Sequence, residues 1–172
     1  MQVWQYALIF GAVLSAACGS RPVGQGESQP LTAAASTAAE QSVRAFVQNV
    51  AHDVTQEGPA AWRREFADSP SFFMASEGRL VFPDSASATT GIQDLARTVK
   101  QITLQWGNDL RVDALTRDLA AVGVSYHEVR VGIDGARVDE SGFFTGTAEY
   151  RGGRWQFRNA HWSVIGPPAA VR

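Results

Sequence analysis

The chain of 172 residues has one cysteine, Cys18, and one lysine, Lys100. A single thiol excludes internal disulfides and metal sites built from several cysteines, and acylation of Cys18 would also exclude a thiol nucleophile. The other basic residues are arginines, scattered without a dense patch, and the formal net charge is −2. This charge and a pI of about 5.9 give no reason to expect a nucleic-acid partner.

Long apolar runs are also absent, apart from residues 3–17 at the N-terminus. This run is too short for a comfortable membrane span and has the length of a signal-peptide core. Leu14-Ser15-Ala16-Ala17-Cys18 is similar to a bacterial lipobox. Two features depart from the usual pattern: the aliphatic residue stands four positions before the cysteine, and no Lys or Arg precedes the run.

We therefore predict a signal peptide over 1–17, with Cys18 lipidated and holding the protein to the bacterial envelope membrane. A plain secretory signal cleaved near Ala17, giving a secreted or periplasmic protein, and an uncleaved anchor remain the alternatives. Residues 18–36, rich in Gly, Ser, Pro, Gln and Ala, predict a flexible tether. One folded domain over 37–166 and a short tail over 167–172 complete the division.

Periodicity predicts three helices before a run of strands. The first helix begins at a capping box, Thr37 to Glu40, and ends at Gly58-Pro59. Its apolar positions recur at helical spacing: Val43, Phe46, Val47, Val50 and Val54. A short second helix covers about 59–67, and a third begins at a second capping box, Thr90 to Gln93.

The remaining pattern is that of strands. Residues 71–82 predict a small hairpin around Glu77-Gly78, and four long strands then follow as an antiparallel meander. Helices on one face of such a sheet define an α+β domain.

Two turns set the predicted register of the long strands. A two-residue turn at Gly152-Gly153 pairs Tyr150 with Trp155 and Phe144 with His161; one at Asp134-Gly135 pairs Ser125 with Phe144. The helix-covered inner face then mixes large aromatics with small residues and carries four polar side chains: His127, Glu140, Asn159 and His161. Bulky residues beside small ones predict a hollow on this face.

The same register gives the outer face Glu128, Arg130 and Asp139, with a cross-strand ion pair between Arg130 and Asp139. Tyr126, Phe143 and Trp162 form an aromatic group there. An exposed aromatic patch rimmed by charge predicts a homodimer interface. A single bulge would exchange the two faces beyond it.

The closing hairpin reads G-G-x-W-x-F followed by H-W-S, over Gly152–Ser163. With three helices and a curved meander before it, residues 38–166 resemble the nuclear transport factor 2-like superfamily, most closely its SnoaL-like branch. The resemblance implies a cone-shaped domain with a pocket between helices and sheet, and a dimer through the outer sheet face. Members include polyketide cyclases, ketosteroid isomerases, limonene epoxide hydrolases and scytalone dehydratase, besides domains without known catalysis, so the fold alone does not give a function.

Candidate catalytic residues are the inner-face groups able to move a proton: His161, Glu140 and His127. Burial would raise the pKa of Glu140 and suit it to act as a base. The epoxide hydrolase pattern requires an arginine between two carboxylates, and the predicted register places no arginine on the inner face. Candidate ligand-binding residues line the same predicted hollow: Trp106, Ser125, Phe144, Tyr150, Trp155, Phe157 and Asn159.

Three functions follow from these observations. The first is binding of a small, largely apolar molecule in the pocket. The second is isomerisation, cyclisation or dehydration without a cofactor, using a pocket His or Glu. The third is a non-catalytic interaction domain that docks through the outer face. No cofactor is expected, and no metal site, because the histidines lack the spacing of known zinc motifs.

Overall fold

Residues 31–166 are described by a computed structural model; the predicted signal peptide, Cys18 and the C-terminal tail from 167 lie outside these residues. Three α-helices and one 3₁₀ turn form the helical part: α1 (Ala33–Glu57), the 3₁₀ turn (Pro59–Ala61), α2 (Trp62–Glu65) and α3 (Ser85–Thr98). Seven strands form one sheet: β1 (Phe73–Ser76), β2 (Arg79–Phe82), β3 (Val99–Trp106), β4 (Arg111–Thr116), β5 (Leu119–Gly132), β6 (Arg137–Arg151) and β7 (Arg154–Val164).

Helix α1 begins four residues before the predicted start at Thr37. Thr32 is the N-cap, and its hydroxyl accepts a hydrogen bond from the Ala35 amide at 3.3 Å, which satisfies one amide of the first turn. The helix ends as predicted at Gly58, whose φ of 82° is easily adopted only by glycine. Four valines of the predicted stripe are fully buried against the sheet: Val43, Val47, Val50 and Val54.

Helix α3 also starts earlier than predicted. Asp84 caps it by accepting a hydrogen bond from the Ser87 amide at 2.7 Å, and the Ser87 hydroxyl bonds back to the Asp84 amide. The predicted capping box at Thr90 is therefore wrong, because Thr90 lies inside the helix and bonds the carbonyl of Ala86 instead. The early start lengthens the helix that covers the sheet.

The sheet is the predicted antiparallel meander with one addition. Its strand order is β2-β1-β7-β6-β5-β3, with β4 also pairing with β5, and β1 runs parallel to β7. The helices pack on one face of this curved, unclosed sheet, and the buried aromatic rings of Phe72, Phe144 and Phe157 fill the space between them. The α+β class and the cone-like arrangement of three helices on a curved sheet are thus confirmed.

The predicted register between β5 and β6 is wrong by one residue. Val131 pairs with Arg137 instead of Val138, and Val124, instead of Ser125, pairs with Phe144. The cause is the turn: the Gly132 amide bonds the Ala136 carbonyl at 2.8 Å, so the connection is longer than the two residues Asp134-Gly135. A shift of one residue moves every side chain of β5 to the opposite face.

The register between β6 and β7 is correct near the turn and then changes. Tyr150 pairs with Trp155 and Ala148 with Phe157, as predicted, but a bulge follows and Thr147 pairs with Asn159. The Asn159 side-chain oxygen accepts a hydrogen bond from the Thr147 amide at 3.1 Å inside this bulge. Beyond it Trp162 faces inward and His161 faces outward, the reverse of the prediction.

Candidate functional site

A cavity of about 370 Å³ lies between the inner face of the sheet and the elements that cover it. One side is formed by α2, α3 and the β1–β2 hairpin, and the other by β3, β5, β6 and β7. Its walls are mostly apolar: Trp62, Phe66, Met74, Val81, Phe82, Ile92, Leu95, Ile102, Tyr126, Trp162 and Val164. An apolar hollow of this size with a few polar groups is typical of a small-molecule site.

Aromatic rings set at right angles form part of the wall. Trp62 meets Trp162 edge to face, with ring centres 5.6 Å apart and planes at 89°. Tyr126 meets Trp162 at 4.8 Å and 87°. The bulge in β7 is what brings Trp162 to this position, because without it the indole would lie on the outer face.

Three charged side chains share the inner face at one end of the cavity. Glu128 and Arg130 lie two residues apart on β5, and Glu140 lies opposite Glu128 on β6. The Arg130 Nη2 donates a hydrogen bond to Glu140 Oε1 at 2.8 Å, and its Nε lies 3.1 Å from Glu128 Oε1. One guanidinium therefore stands between two carboxylates, all three on the cavity wall.

Glu128 is the most buried of these acids, with 8% of its surface exposed. Burial raises the pKa of its carboxyl from the ordinary value of 4.5 to about 7; the charge of Arg130 opposes this rise and the charge of Glu140 adds to it. Within residues 31–166, no hydrogen bond to the Glu128 carboxylate is formed. The group can therefore hold or release a proton near neutral pH and keeps free lone pairs toward the cavity.

The Nε–H of Arg130 is a second unused polar group. This nitrogen is buried and has no hydrogen-bond partner within the part of the chain described. Glu128 Oε1 is near enough for an ion pair, but the contact does not meet the geometry of a hydrogen bond. Buried donors without a partner are uncommon and cost about 1–3 kcal/mol. Arg130 Nε is enclosed by protein atoms, so Glu128 is the group of this pair whose hydrogen-bonding capacity a bound molecule could use.

Tyr126 stands beside this charged group on β5. Burial raises the pKa of its phenol to about 12, with a further contribution from the negative charges of Glu140 and Glu128. The phenol is therefore neutral at physiological pH and can donate a hydrogen bond. At the other side of the cavity, the β1–β2 turn contributes Glu77, whose φ of 49° is unusual for a residue with a side chain.

The arrangement can position an apolar molecule and present a carboxylate, a guanidinium and a phenol to one polar group on it. Glu128 has the pKa of a general acid or base at neutral pH. Among residues 31–166, no three side chains of His, Asp or Glu are grouped so as to hold a metal ion. In the same part of the chain, every helix is too short or too polar to cross a membrane.

The structure separates the predicted catalytic residues. Glu140 lies on the inner face and lines the cavity, as its predicted placement required. The predicted inward placement of His161 and His127 is wrong: both are exposed on the outer face, opposite Thr145 and Ser141 respectively. The predicted ion pair between Arg130 and Asp139 does not form either. Asp139 contacts His127, with Oδ1 2.8 Å from Nε2, and Arg130 donates a hydrogen bond to Glu140.

None of the seven predicted ligand-binding residues lines this cavity, whose wall is formed by other side chains. Phe144, Phe157 and Trp155 are buried in the core, with the indole of Trp155 bonded to Ser42. Trp106 stacks behind Trp162 and donates to the Val47 carbonyl, and Asn159 braces the bulge. Ser125 bonds Asp109 on the outer side, and Tyr150 is 44% exposed beside Trp155.

The predicted outer aromatic group of Tyr126, Phe143 and Trp162 does not form. Tyr126 and Trp162 face the cavity, because the longer turn and the bulge moved both residues to the inner face. Phe143 remains on the outer face with 38% of its surface exposed. The homodimer therefore stays a prediction, supported by a smaller apolar surface than the sequence suggested.

Four cavity residues were predicted to lie outside: Tyr126, Glu128, Arg130 and Trp162. For three of them a signal was present in β5 itself. Its apolar residues alternate through Ala120, Val122 and Val124, all buried, and the same period continues to Tyr126, Glu128 and Arg130. The intervening positions from Ala121 to His127 are small or polar, so this alternation identifies the inner face without any assumption about the turn.

Comparison with known proteins gives a likeness of structure and none of sequence. No protein-family model matches the chain, and no curated protein matches it. A nuclear transport factor 2-like superfamily protein from Salmonella enterica superposes with a TM-score of 0.65 at 12% identity, over 79% of this chain and 97% of its own. The chain has the nuclear transport factor 2-like fold.

Other proteins with this fold show the same degree of likeness. A protein from Novosphingobium aromaticivorans proposed to be a scytalone dehydratase has a TM-score of 0.61 at 11% identity, covering 77% of this chain and 88% of its own. A hexachlorocyclohexane dehydrochlorinase, LinA type 2, has a TM-score of 0.58 at 15% identity, covering 78% and 99%. At such identities the likeness establishes the fold, and function has to be argued from the cavity.

Proposed function

We propose that the protein binds a small, largely apolar molecule in the cavity, with one polar group of that molecule placed against Glu128. The observation that carries this proposal is the buried Glu128 carboxylate, which lacks a hydrogen bond within the described residues and lies on the wall of an otherwise apolar cavity of about 370 Å³. Such a group is costly for the free protein and gains a partner on binding.

A neutral environment-sensitive dye, N-phenyl-1-naphthylamine, tests this proposal on the purified protein. Its fluorescence should rise on binding to the wild type. Leu95→Trp should abolish the rise, because Leu95 lines the cavity and the larger indole would fill it. Leu115→Trp is the matched control, since Leu115 is exposed and does not line the cavity. Equal binding by all three proteins would contradict the proposal.

A second candidate function is water activation, favoured by the position of Arg130 between Glu128 and Glu140. The epoxide hydrolases of the superfamily that the sequence resembles use an Asp–Arg–Asp set for this purpose, and here glutamates take the place of the aspartates. Glu128 would act as the base, taking a proton from water as the water oxygen attacks an epoxide carbon. The ring oxygen would leave with a proton supplied by the Tyr126 phenol, which is protonated at neutral pH.

Cyclohexene oxide is a suitable probe for this second candidate. Diol formation should require Glu128 in its ionised form and so should rise with pH through about 7. Glu128→Gln should lower the rate by at least about a hundredfold while dye binding persists. Absence of diol with the wild type, or an unchanged rate in Glu128→Gln, would leave binding as the sole function of the cavity.

We also propose that the domain works at the bacterial envelope, exported and held by a lipid on Cys18. The support is the apolar run 3–17 and the single cysteine that follows it directly. The intact mass of the protein from its own host tests this proposal: a mature chain starting at an acylated Cys18 is expected. An unmodified cysteine at a mature N-terminus would favour plain secretion instead.

A further inference from the structure

Acidic side chains outnumber basic ones around the cavity. Glu77, Glu128 and Glu140 line it, while Arg130 is the one lining residue with a positive charge among residues 31–166. That guanidinium is already shared by Glu128 and Glu140, through contacts of 3.1 and 2.8 Å. The cavity therefore has excess negative charge, and an anionic group entering it would meet three carboxylates and an arginine already engaged.

Aromatic rings stand next to these carboxylates. Trp62, Trp162 and Tyr126 all line the cavity. The rings of Trp62 and Tyr126 each lie perpendicular to the Trp162 ring. Aromatic rings beside carboxylates are surroundings in which proteins hold ammonium groups, because the ring faces are electronegative. The β7 bulge and the β5 alternation together produce this combination on one wall.

Glu128 is the residue through which a cation would act. It is about nine-tenths buried, receives no hydrogen bond within the described residues, and faces both the cavity and Glu140. An ammonium group placed beside it would donate to its free lone pairs and reduce its repulsion from Glu140. A neutral hydroxyl could donate one hydrogen bond there without compensating the charge.

We propose that the molecule bound in the cavity is a hydrophobic amine, whose ammonium group pairs with Glu128 while its apolar part packs against Trp62, Tyr126 and Trp162. This inference rests on the proposed binding function and specifies its ligand class. It also predicts a pH dependence set by the groups that face Glu128: Arg130, Glu140, Tyr126 and, across the cavity, Glu77. Amine affinity should rise through about pH 7 as Glu128 ionises.

Three probes of one shape test the ligand class: 1-naphthylmethylamine, 1-naphthylmethanol and 1-naphthoate, each displacing the neutral dye from the purified protein. The amine should bind about tenfold more tightly than the alcohol at about pH 8, a difference of about 1.4 kcal/mol, and the carboxylate least. The amine's advantage should shrink at about pH 5, while the affinity of the alcohol stays level.

Variants assign the effect to Glu128. Glu128→Gln should remove most of the amine's advantage and leave alcohol affinity within about twofold, which also shows that the variant is folded. Glu149→Gln is the matched control, because this carboxylate pairs with Arg158 and does not line the cavity. It should keep the advantage.

Two results would overturn the proposal, and they are distinguishable. Alcohol or carboxylate binding as tightly as amine would refute the ligand class while the binding function stands. Failure of all three probes and of the dye would refute both. The pH series on the wild type needs no variant, so the proposal remains testable if Glu128→Gln does not fold.

Discussion

Glu128 is the residue on which the account of the site depends. Its position is decided by strand alternation, its burial by the aromatic rings and Leu104 around it, and its raised pKa by that burial. Arg130 and Glu140 are its charged neighbours on the same wall. A leucine of similar size would avoid the desolvation cost of this carboxylate, and a buried carboxyl with a raised pKa on a cavity wall is a candidate functional group.

Glu128 should make stability depend on pH in a direction opposite to that of an ordinary paired acid. Its pKa is raised in the folded state, so between pH 4.5 and about 7 the folded protein binds a proton that the unfolded chain has lost. The contribution to stability is complete below pH 4.5 and is lost as pH rises through about 7. Glu128→Gln should therefore be more stable than wild type at about pH 8, by up to about 3 kcal/mol.

Urea unfolding of both proteins at several pH values measures this effect. The difference in free energy of unfolding should be small near pH 4.5 and grow toward about pH 8. Taking the difference removes the contribution of Glu65, whose pKa burial also raises. A constant difference across this range would show that folding does not raise the pKa of Glu128.

At the scale of elements, the bulge in β7 decides which residues face the cavity. Asn159 stabilises it, because its side-chain oxygen accepts a hydrogen bond from the Thr147 amide at the point where the register shifts. One extra residue exchanges the faces of everything beyond it, so Trp162 enters the cavity wall and His161 leaves it. The site is thus built by a backbone irregularity as much as by side-chain chemistry.

Replacing Asn159 should test this role. Asn159→Ala leaves the Thr147 amide without its acceptor and should lower the free energy of unfolding by about 1–3 kcal/mol. Asn159→Asp keeps an oxygen in place and should lose less. Tryptophan fluorescence should shift in Asn159→Ala as Trp162 becomes less ordered. Wild-type stability in Asn159→Ala would mean that the bulge does not need this side chain.

The elements also show what the sequence could and could not predict. Helical periodicity correctly placed Val43 to Val54 on the core, and the strand patterns and glycine turns correctly gave the meander. The face assignments failed at two points, the loop after Gly132 and the bulge at Asn159, and each is a change of one residue. Such changes depend on local hydrogen bonds that hydrophobic patterns do not encode. The alternation within β5, in contrast, is present in the sequence and indicates the inner face of that strand.

At the scale of the whole molecule, the sheet has an outer face opposite the cavity that the helices do not cover. Phe143 is exposed there, on the same face as the polar cluster of His127, Arg137 and Asp139. Exposed apolar residues on a sheet are compatible with a subunit contact, and the resemblance implies a dimer through this face. The cavity lies on the other side of the sheet, so association and ligand binding are expected to be separable.

Phe143→Glu tests this prediction. If two copies associate through the outer face, the substituted carboxylate would be desolvated in the interface, and the variant should sediment as a monomer where wild type sediments as a dimer. Dye binding should be unchanged, because Phe143 does not line the cavity. Tyr150→Glu, also on an exposed aromatic residue but on the other side of β6, is the control. A wild-type monomer would contradict the prediction.

The central claim is that the cavity holds a small molecule, and native mass spectrometry of the protein purified from its own host tests it most directly. We expect a species heavier than the apo chain by a small, largely apolar compound containing a basic nitrogen. Leu95→Trp, which fills the cavity, should carry none, while Leu115→Trp should carry as much as wild type. A clean apo species, together with failure of every naphthyl probe, would contradict the claim.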